Sequence, residues 1–229
     1  MRAVAEDDGD VFLPNPEPPG PVEHVFICME PSLGGWARSP AEARAKVEAG
    51  FRNFVFSIED FILHFSIRQY LLRPGQRYYI TDLSKGAMLV MRAGVARTQR
   101  YDRWYRLLSE EVDLVAASGA RVFAVGGKVA EYLSGRSFRP FTKVIHYSGL
   151  ARAARSAGIR GHEASFAHFR GSVSLNRVLA TAEEVLKASV PSTFQQETLN
   201  RLAPHQLSES DEKLIFNYKV VFEEAVGAR

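Results

Sequence analysis

The sequence contains a single cysteine, Cys28, among its 229 residues. One thiol excludes an intramolecular disulfide, and it cannot supply the several thiolates of a cysteine-ligated zinc or iron–sulfur site. No apolar run approaches the ~18 residues of a membrane-spanning helix. Residues 1–20 are acidic and proline-rich, unlike the basic and then apolar segments of a signal peptide. We therefore expect a monomeric, cytoplasmic protein with no cofactor, no metal and no membrane partner.

The charge of the chain is small in total but unevenly distributed. With 46% hydrophobic and 24% charged residues, a formal net charge of +3 is ordinary for a globular protein. Residues 85–106 nevertheless contain six basic residues and one acid, and residues 135–170 contain seven basic residues and one acid. Basic stretches that meet on one surface would bind an anionic partner such as a nucleic-acid backbone. A solvated surface explains the same charges equally well.

Four short apolar segments are predicted to be buried strands. They are rich in Val, Ile, Phe and Tyr and lack alternation of polar with apolar residues, as expected for parallel strands covered on both faces. Their bounds are His24–Met29, Arg77–Thr81, Arg121–Val125 and Thr142–His146.

Helical patterns lie between and after these strands. The predicted helices are Pro40–Gly50, Ile58–Leu72, Trp104–Ser118, Lys128–Leu133, Ser172–Ala188 and Ser208–Val226, the last with Ser208 and Asp211 as a capping pair. The alternation predicts a three-layer α/β/α sandwich with a central four-stranded, mostly parallel sheet. We expect a flexible proline-rich arm at 1–23, an α/β domain at 24–189 and a helical extension at 190–229 packed on that domain.

Ligands of such sheets bind beyond the carboxyl ends of the strands, so chemistry is expected in the residues that follow each strand. The four endings are Cys28-Met29-Glu30-Pro31-Ser32, Thr81-Asp82-Leu83-Ser84-Lys85, Gly126-Gly127-Lys128 and His146-Tyr147-Ser148-Gly149-Leu150. The glycine-rich ending lacks the upstream glycine and the following Ser or Thr of a phosphate-binding loop. Taken singly, Glu30 could form an ordinary ion pair as well as act in catalysis. In the same way, His146 could be a structural histidine as well as a catalytic one.

Taken in order, the four endings resemble the motifs of the uracil-DNA glycosylase superfamily over about residues 24–160. The similar pairs are Cys28-Met29-Glu30-Pro31-Ser32 with G-x-x-P-G, Tyr79-Ile80-Thr81-Asp82 with Y-I-T-N, Val125-Gly126-Gly127-Lys128-Val129-Ala130 with a glycine turn that opens a helix, and His146-Tyr147-Ser148-Gly149-Leu150 with H-P-S-P-L or N-P-S-G-L. The resemblance implies a glycosylase-like fold without an iron–sulfur cluster. It also implies hydrolysis of the N-glycosidic bond of uracil, or of a related deaminated or damaged pyrimidine, after the base is flipped out of DNA.

The resemblance also implies roles for individual residues. His146 would donate a hydrogen bond to uracil O2 as negative charge develops there, and Glu30 would place the attacking water or stabilise the sugar cation. The residues implied to contact the base are Met29, Phe54, Phe56 and Asp82, although core packing explains the two phenylalanines equally well. The residues implied to contact DNA are Ser148, Gly149, Leu150, Lys85, Arg97, Arg100 and Arg152, with Leu150 as a wedge or as an anchor of its turn.

Several positions depart from the family motifs. Glu30 stands where mismatch-type and single-strand-selective members carry an asparagine that places the attacking water. Tyr147 replaces a proline, Ser32 replaces a glycine, and Asp82 replaces the asparagine that reads uracil by accepting from N3–H and donating to O4. An ionised aspartate only accepts hydrogen bonds. Asp82 would therefore read uracil only when protonated, or would favour a base with an amino group at that position, such as cytosine.

Two other functions fit the same residues. A non-catalytic protein could keep the fold and bind damaged or abasic DNA, in which case binding would be sensitive to salt and no base would be released. An enzyme acting on free nucleosides or nucleotides could use the same pocket chemistry. The basic stretches and Leu150 favour DNA over a small molecule.

Overall fold

The computed structural model describes residues 1–227, apart from the side chain of Leu150. The chain forms two compact units, each built from two stretches of the sequence. The sheet unit comprises residues 1–53 and 76–143, and the helical unit comprises residues 54–75 and the chain from residue 144 onwards. The expected boundaries at 23/24 and 189/190 therefore differ from those observed, because the residues on both sides of each boundary belong to the same unit.

The helices and strands follow one another as expected for an α/β chain. Up to the middle of the sequence they are α1 (Arg2–Asp7), β1 (Val11–Phe12), β2 (Val22–Cys28), α2 (Pro40–Glu48), α3 (Ile58–Tyr70), β3 (Tyr78–Asp82), β4 (Gly86–Ala87), a 3-10 turn (Val90–Arg92) and α4 (Arg97–Val115). They continue with β5 (Ala116–Val125), α5 (Gly127–Ser134), β6 (Phe141–Val144), a second 3-10 turn (Gly149–Ala151), α6 (Arg152–Ala157), α7 (Glu163–Phe169), α8 (Leu175–Ser189), α9 (Ser192–Leu202) and α10 (Glu209–Gly227). Every predicted strand and helix overlaps an observed one.

Four strands form one parallel sheet in the order β3-β2-β5-β6, which confirms the prediction of an α/β chain with a central four-stranded parallel sheet. Cys28 at the end of β2 lies opposite Asp82 at the end of β3, so these two strands end level with each other. The chain passes from β2 to β3 on one side and then returns to β5 on the other side of β2. In open α/β sheets, ligands bind at the carboxyl ends of the strands where the order reverses in this way.

Helices α4 and α5 belong to the same hydrophobic core cluster as the central strands. The buried members of this cluster include Val25, Ile27, Val122 and Ala124 from the strands and Leu108, Val112, Val129 and Leu133 from the helices. Burying an aliphatic side chain contributes about 1.5–3 kcal/mol relative to leaving it exposed. The cluster therefore holds α4 and α5 on the sheet and positions the residues at their ends.

The first 15 residues belong to the sheet unit, so the expectation of a flexible arm is wrong for this segment. Ala5, Val11 and Leu13 are at most 3% exposed. Strand β1 pairs antiparallel with β4, with Val11 opposite Ala87, and the Leu13 amide donates to the Lys85 carbonyl at 2.9 Å. The expectation rested on the prolines that follow, whereas the apolar residues before them are buried.

The helical unit is built around α3, which packs against α8 and α10. Both α3 and α10 begin with a reciprocal cap: Ser57 with Asp60, and Ser208 with Asp211. This confirms the capping pattern predicted for the last helix. The segment expected as a helical extension packed on the domain forms α9 and α10, which pack on α8 and α3 within this unit. None of the described helices is long and apolar enough to cross a membrane.

Candidate functional site

Glu30 lies just beyond the carboxyl end of β2, and its side chain is only 3% exposed. Arg97, the first residue of α4, places Nε 3.0 Å and Nη2 2.8 Å from the Glu30 Oε1 atom. Tyr101, one turn further along α4, donates its hydroxyl to Oε2. Hydrogen bonds between ionised groups are stronger than neutral ones, so these contacts hold the carboxylate in one orientation.

Asp82 is the last residue of β3 and is 2% exposed. Asn53 donates from Nδ2 to the Asp82 Oδ2 atom at 2.6 Å. Burial raises the pKa of Asp82 to about 8, although the charge of Lys85 and the hydrogen bond from Asn53 act in the opposite direction; the charges of Glu30 and Glu111 raise the pKa further. At neutral pH Asp82 is therefore mainly a carboxylic acid with a hydroxyl to donate.

A buried ion pair lies next to Asp82. The Lys85 Nζ atom is 2.5 Å from the Glu111 Oε2 atom on α4 and also donates to the backbone carbonyl of Asp82 at 2.9 Å. The Glu111 carboxylate accepts from Tyr79 and Thr81 on β3, each at 2.9 Å. Because every one of these polar groups has a partner, the network is stable at this depth and fixes α4 against β3.

Two asparagines continue this network toward Asp82. Asn15 donates from Nδ2 to the Thr81 hydroxyl at 3.0 Å, and it accepts from Asn53 at 3.2 Å. Asn53 uses the same amide nitrogen for its bond to Asp82. The segment before β2 thereby helps to hold the residue that contacts the Asp82 carboxyl.

Two of the cations expected to contact DNA are buried, which corrects those assignments. Lys85 is 1% exposed and pairs with Glu111. Arg100 is 6% exposed and donates to the backbone carbonyls of Ala93 and Val95, at 2.8 and 3.4 Å. Both donate to acceptors within the sheet unit, although the buried Nε atom of Arg100 has no acceptor, and neither presents its charge on an exposed surface.

The other two cations differ from each other in their surroundings. The Arg97 side chain is 29% exposed, but its guanidinium is bound to Glu30. Arg152, at the start of α6, is exposed. The phosphate contact expected of Arg152 is compatible with this exposure and stays a prediction.

His146 lies in the helical unit, in the segment that follows β6. The Ser148 amide donates to the His146 Nδ1 atom at 2.9 Å. A neutral imidazole that accepts at Nδ1 carries its proton on Nε2, so the ring has a donor of the kind required at a uracil oxygen. The ring of Tyr147 stacks on it with centroids 4.8 Å apart, and Arg155 donates to the carbonyls of Tyr147 and Ser148. The turn is therefore stabilised by contacts within it and by the hydrogen bonds from Arg155.

The remaining residues of this turn differ in their position and exposure. Ser148 precedes the 3-10 turn as its N-terminal cap. Gly149 is exposed, and a Cβ atom there would have no neighbour within 4 Å. The side chain of Leu150 lies outside the described residues, and its role as a wedge stays a prediction.

The residues expected to stack on a base are engaged with the protein. Phe54 is 4% exposed, and its carbonyl lies 2.9 Å from the His64 Nε2 atom. Phe56 is half-buried, with the Arg201 guanidinium 3.5 Å from the centre of its ring. Met29 is half-buried and packs against the core cluster of the sheet unit. For Phe54, the alternative of core packing fits the structure.

An exposed apolar segment was missed by the sequence reasoning. Between β4 and α4, Val90, Met91 and Val95 are 66%, 83% and 65% exposed. The Arg97 Nε atom donates to the carbonyl of Ala93 within this segment as well as to Glu30. The segment therefore adjoins the Glu30 carboxylate. The signal that could have found it is an apolar run without helical periodicity inside a basic stretch.

Replacement of Lys85 by methionine should lower the free energy of unfolding by about 3 kcal/mol, because the buried Glu111 carboxylate loses its cation. Denaturation in urea followed by circular dichroism measures this change. The matched control is Arg106→Gln, which breaks the exposed Arg106–Glu110 pair on α4, the helix that carries Glu111. This change should have almost no effect. Adding Glu111→Gln to Lys85→Met should restore part of the loss. Equal losses for the single variant and the control would contradict the assignment.

No protein-family model, curated protein or solved structure matches this chain. Among the described residues, no group of three or more His, Cys, Asp or Glu side chains is arranged to hold a metal ion.

Proposed function

We propose that the chain is a monofunctional DNA glycosylase that hydrolyses the N-glycosidic bond of uracil, or of a related deaminated or damaged pyrimidine, in DNA. The observation that carries the proposal is a pair of carboxyl groups at the ends of neighbouring strands. Glu30 is oriented by Arg97 and Tyr101, and Asp82 is buried as an acid. The proposal includes a three-layer, uracil-DNA glycosylase-like fold, which the parallel sheet and the order of the four strand endings support.

Glu30 supplies the charge that the reaction needs at the sugar. Breaking the bond between C1′ and the base nitrogen leaves positive charge on the deoxyribose and negative charge on the base. The Glu30 carboxylate stabilises the sugar cation and accepts a proton from the water whose oxygen bonds to C1′. By resemblance, the His146 Nε2–H donates to the oxygen of the departing base; its Nδ1 atom accepts from Ser148, consistent with that tautomer.

Protonated Asp82 offers the same hydrogen-bonding pattern as the asparagine it replaces. Asn53 donates to Oδ2, so Oδ1 carries the proton and donates to uracil O4, while a second lone pair on Oδ2 accepts from N3–H. An ionised Asp82 would repel O4 and would favour the amino group of cytosine. Since Asp82 is 2% exposed, a neighbouring side chain must move when the base binds.

The exposed apolar segment between β4 and α4 suits contact with an opened duplex. Glycosylases pay an unstacking cost of a few kcal/mol to extrude a base. Apolar side chains that insert between bases reduce that cost. Val90 and Met91 are exposed in the same segment as Ala93, whose carbonyl accepts from the Arg97 that binds Glu30, and we propose that they fill the space left by a flipped base.

A non-catalytic protein that binds damaged or abasic DNA is the second candidate. It is favoured by the enclosure of Glu30, whose carboxylate is occupied by Arg97 and Tyr101. This candidate predicts salt-sensitive binding to an abasic duplex without release of any base.

Purified protein incubated with uracil-containing single- and double-stranded oligonucleotides, and then with alkali, should cleave the strand at the uracil. Glu30→Gln should lower the rate at least about 100-fold, because the neutral amide neither stabilises the cation nor accepts the proton. Glu110→Gln, an exposed carboxylate on α4, is the control and should retain the rate. Absence of cleavage by the wild type on every member of a panel of damaged bases would exclude the glycosylase and leave the binding protein.

The rate on uracil should fall as the pH rises through about 8, because Asp82 then loses the proton that it donates to O4. Asp82→Asn keeps a donor at all pH values, so its kcat/KM should stay level over the same range. The ratio of the two kcat/KM values measured from pH 6 to 10 isolates Asp82 from Lys85, Glu30 and Glu111, which interact with it electrostatically. The same decline in both proteins would assign the titration to another group.

Replacing Val90 and Met91 together by serine should lower the rate on duplex DNA about tenfold more than the rate on single-stranded DNA, because only the duplex must be unstacked. Leu114→Ser is the matched control: Leu114 is 83% exposed, like Met91, but lies at the other end of α4. Cleavage of matched duplex and single-stranded substrates gives the two rates. An equal effect on both substrates would count against the wedge.

A further inference from the structure

A cavity of about 420 Å³ lies in the sheet unit and is lined by residues of α4, of α5 and of the segment that directly follows α5. Arg97 and Tyr101, which bind Glu30, form part of its wall. Lys128, Tyr132 and Arg136 line it from the other helix. The volume is within the range of cavities that hold small molecules, about 300–1,000 Å³.

Three cations line the cavity, and each has a carboxylate partner. Arg97 pairs with Glu30, Lys128 with Glu131 at 3.4 Å and Arg136 with Asp102. Arg136 is bound to Asp102 and lies over the ring of Tyr132, 5.1 Å from its centre. The arginine is therefore held in place before any ligand arrives, and a phosphate that binds there competes with the carboxylates for these preformed cations.

The aromatic side chains add a second kind of recognition. The rings of Tyr101 and Tyr132 meet edge to face, with centroids 5.2 Å apart. Tyr101 is only 2% exposed, so of the two it is the half-buried Tyr132 that can offer a ring face to a ligand. The Tyr132 hydroxyl is fixed by a 2.8 Å hydrogen bond to Asp102. Stacking of a nucleic-acid base on an aromatic ring contributes about 1–3 kcal/mol and tolerates any base.

From these observations we propose that the cavity between α4 and α5 binds a nucleotide unit: its cations pair with the phosphate and the ring of Tyr132 stacks on the base. The unit is either a free nucleoside monophosphate or one nucleotide of a DNA strand, since the two share this chemistry.

Binding of a phosphate here changes the environment of Glu30. Arg97 belongs both to the cavity wall and to the ion pair with Glu30, so a phosphate competes with that carboxylate for the guanidinium. Occupation of the cavity thereby loosens the contact that encloses Glu30 and makes the carboxylate available to a substrate. This consequence, unlike the binding itself, rests on the proposed function.

Isothermal titration calorimetry with four undamaged probes tests the binding: thymidine 5′-monophosphate, thymidine, inorganic phosphate and single-stranded oligothymidylate. The monophosphate or the oligonucleotide should bind at least about tenfold more tightly than thymidine or phosphate, because only they engage both the cations and the ring of Tyr132. Lys128→Ala/Arg136→Ala should weaken that binding about tenfold or more. The control with the same change in charge is Arg106→Ala/Arg139→Ala, which alters two arginines that do not line the cavity.

The pattern of binding distinguishes the two sources of the nucleotide. Tight binding of the monophosphate indicates a free nucleotide, and tight binding of the oligonucleotide alone indicates a DNA strand; both support the site. Failure of all four probes to bind the wild type, or equal weakening in the two double variants, would overturn it. No probe contains a damaged base and no bond is broken, so this result is independent of the glycosylase assay.

Replacement of Glu30 by glutamine tests the competition. Glu30→Gln removes the charge that holds Arg97, so it should tighten binding of the monophosphate several-fold. Unchanged or weaker binding would remove the competition for Arg97 from the proposal.

Discussion

The ion pair between Lys85 and Glu111 is the interaction on which the arrangement at the carboxyl ends of β2 and β3 depends. Its atoms are 2.5 Å apart at a position where Lys85 is almost fully buried. Removing either charge would leave the other without compensation, so the pair ties the middle of α4 to the segment after β3. Because α4 is one continuous helix, the same tie places Arg97 and Tyr101 beside Glu30.

Two carboxyl groups at the carboxyl ends of the strands have different surroundings. Asp82 lies close to the carboxylates of Glu30 and Glu111, and burial raises its pKa to about 8 although the charge of Lys85 acts in the opposite direction. Glu30 is equally enclosed but faces a guanidinium, which compensates its charge. One group can therefore donate a hydrogen bond while the other presents an anion, which is the division of roles that hydrolysis of an N-glycosidic bond requires.

Arg97 connects the two proposals for this protein. Its guanidinium binds Glu30, its Nε atom also donates to the exposed apolar segment, and its side chain lines the cavity between α4 and α5. A ligand that pairs with Arg97 therefore acts on Glu30 without touching it. By itself, the enclosure of Glu30 favours a non-catalytic binding protein. Under this proposal, a bound nucleotide draws Arg97 away from Glu30 and so exposes the carboxylate.

The sequence by itself determined the strands, most helices, the cap at Ser208 and the residues at the strand ends, because periodicity and capping are properties of neighbouring residues. Only the tertiary structure decided that the first 15 residues are packed, that α3 joins the later helices, and that Lys85 and Arg100 are buried. The sequence of a basic stretch does not show whether its cations are exposed to solvent or buried against acceptors in the protein. For Lys85 the acceptor is Glu111, which lies 26 residues further along the chain and is brought to it only when α4 packs on the sheet.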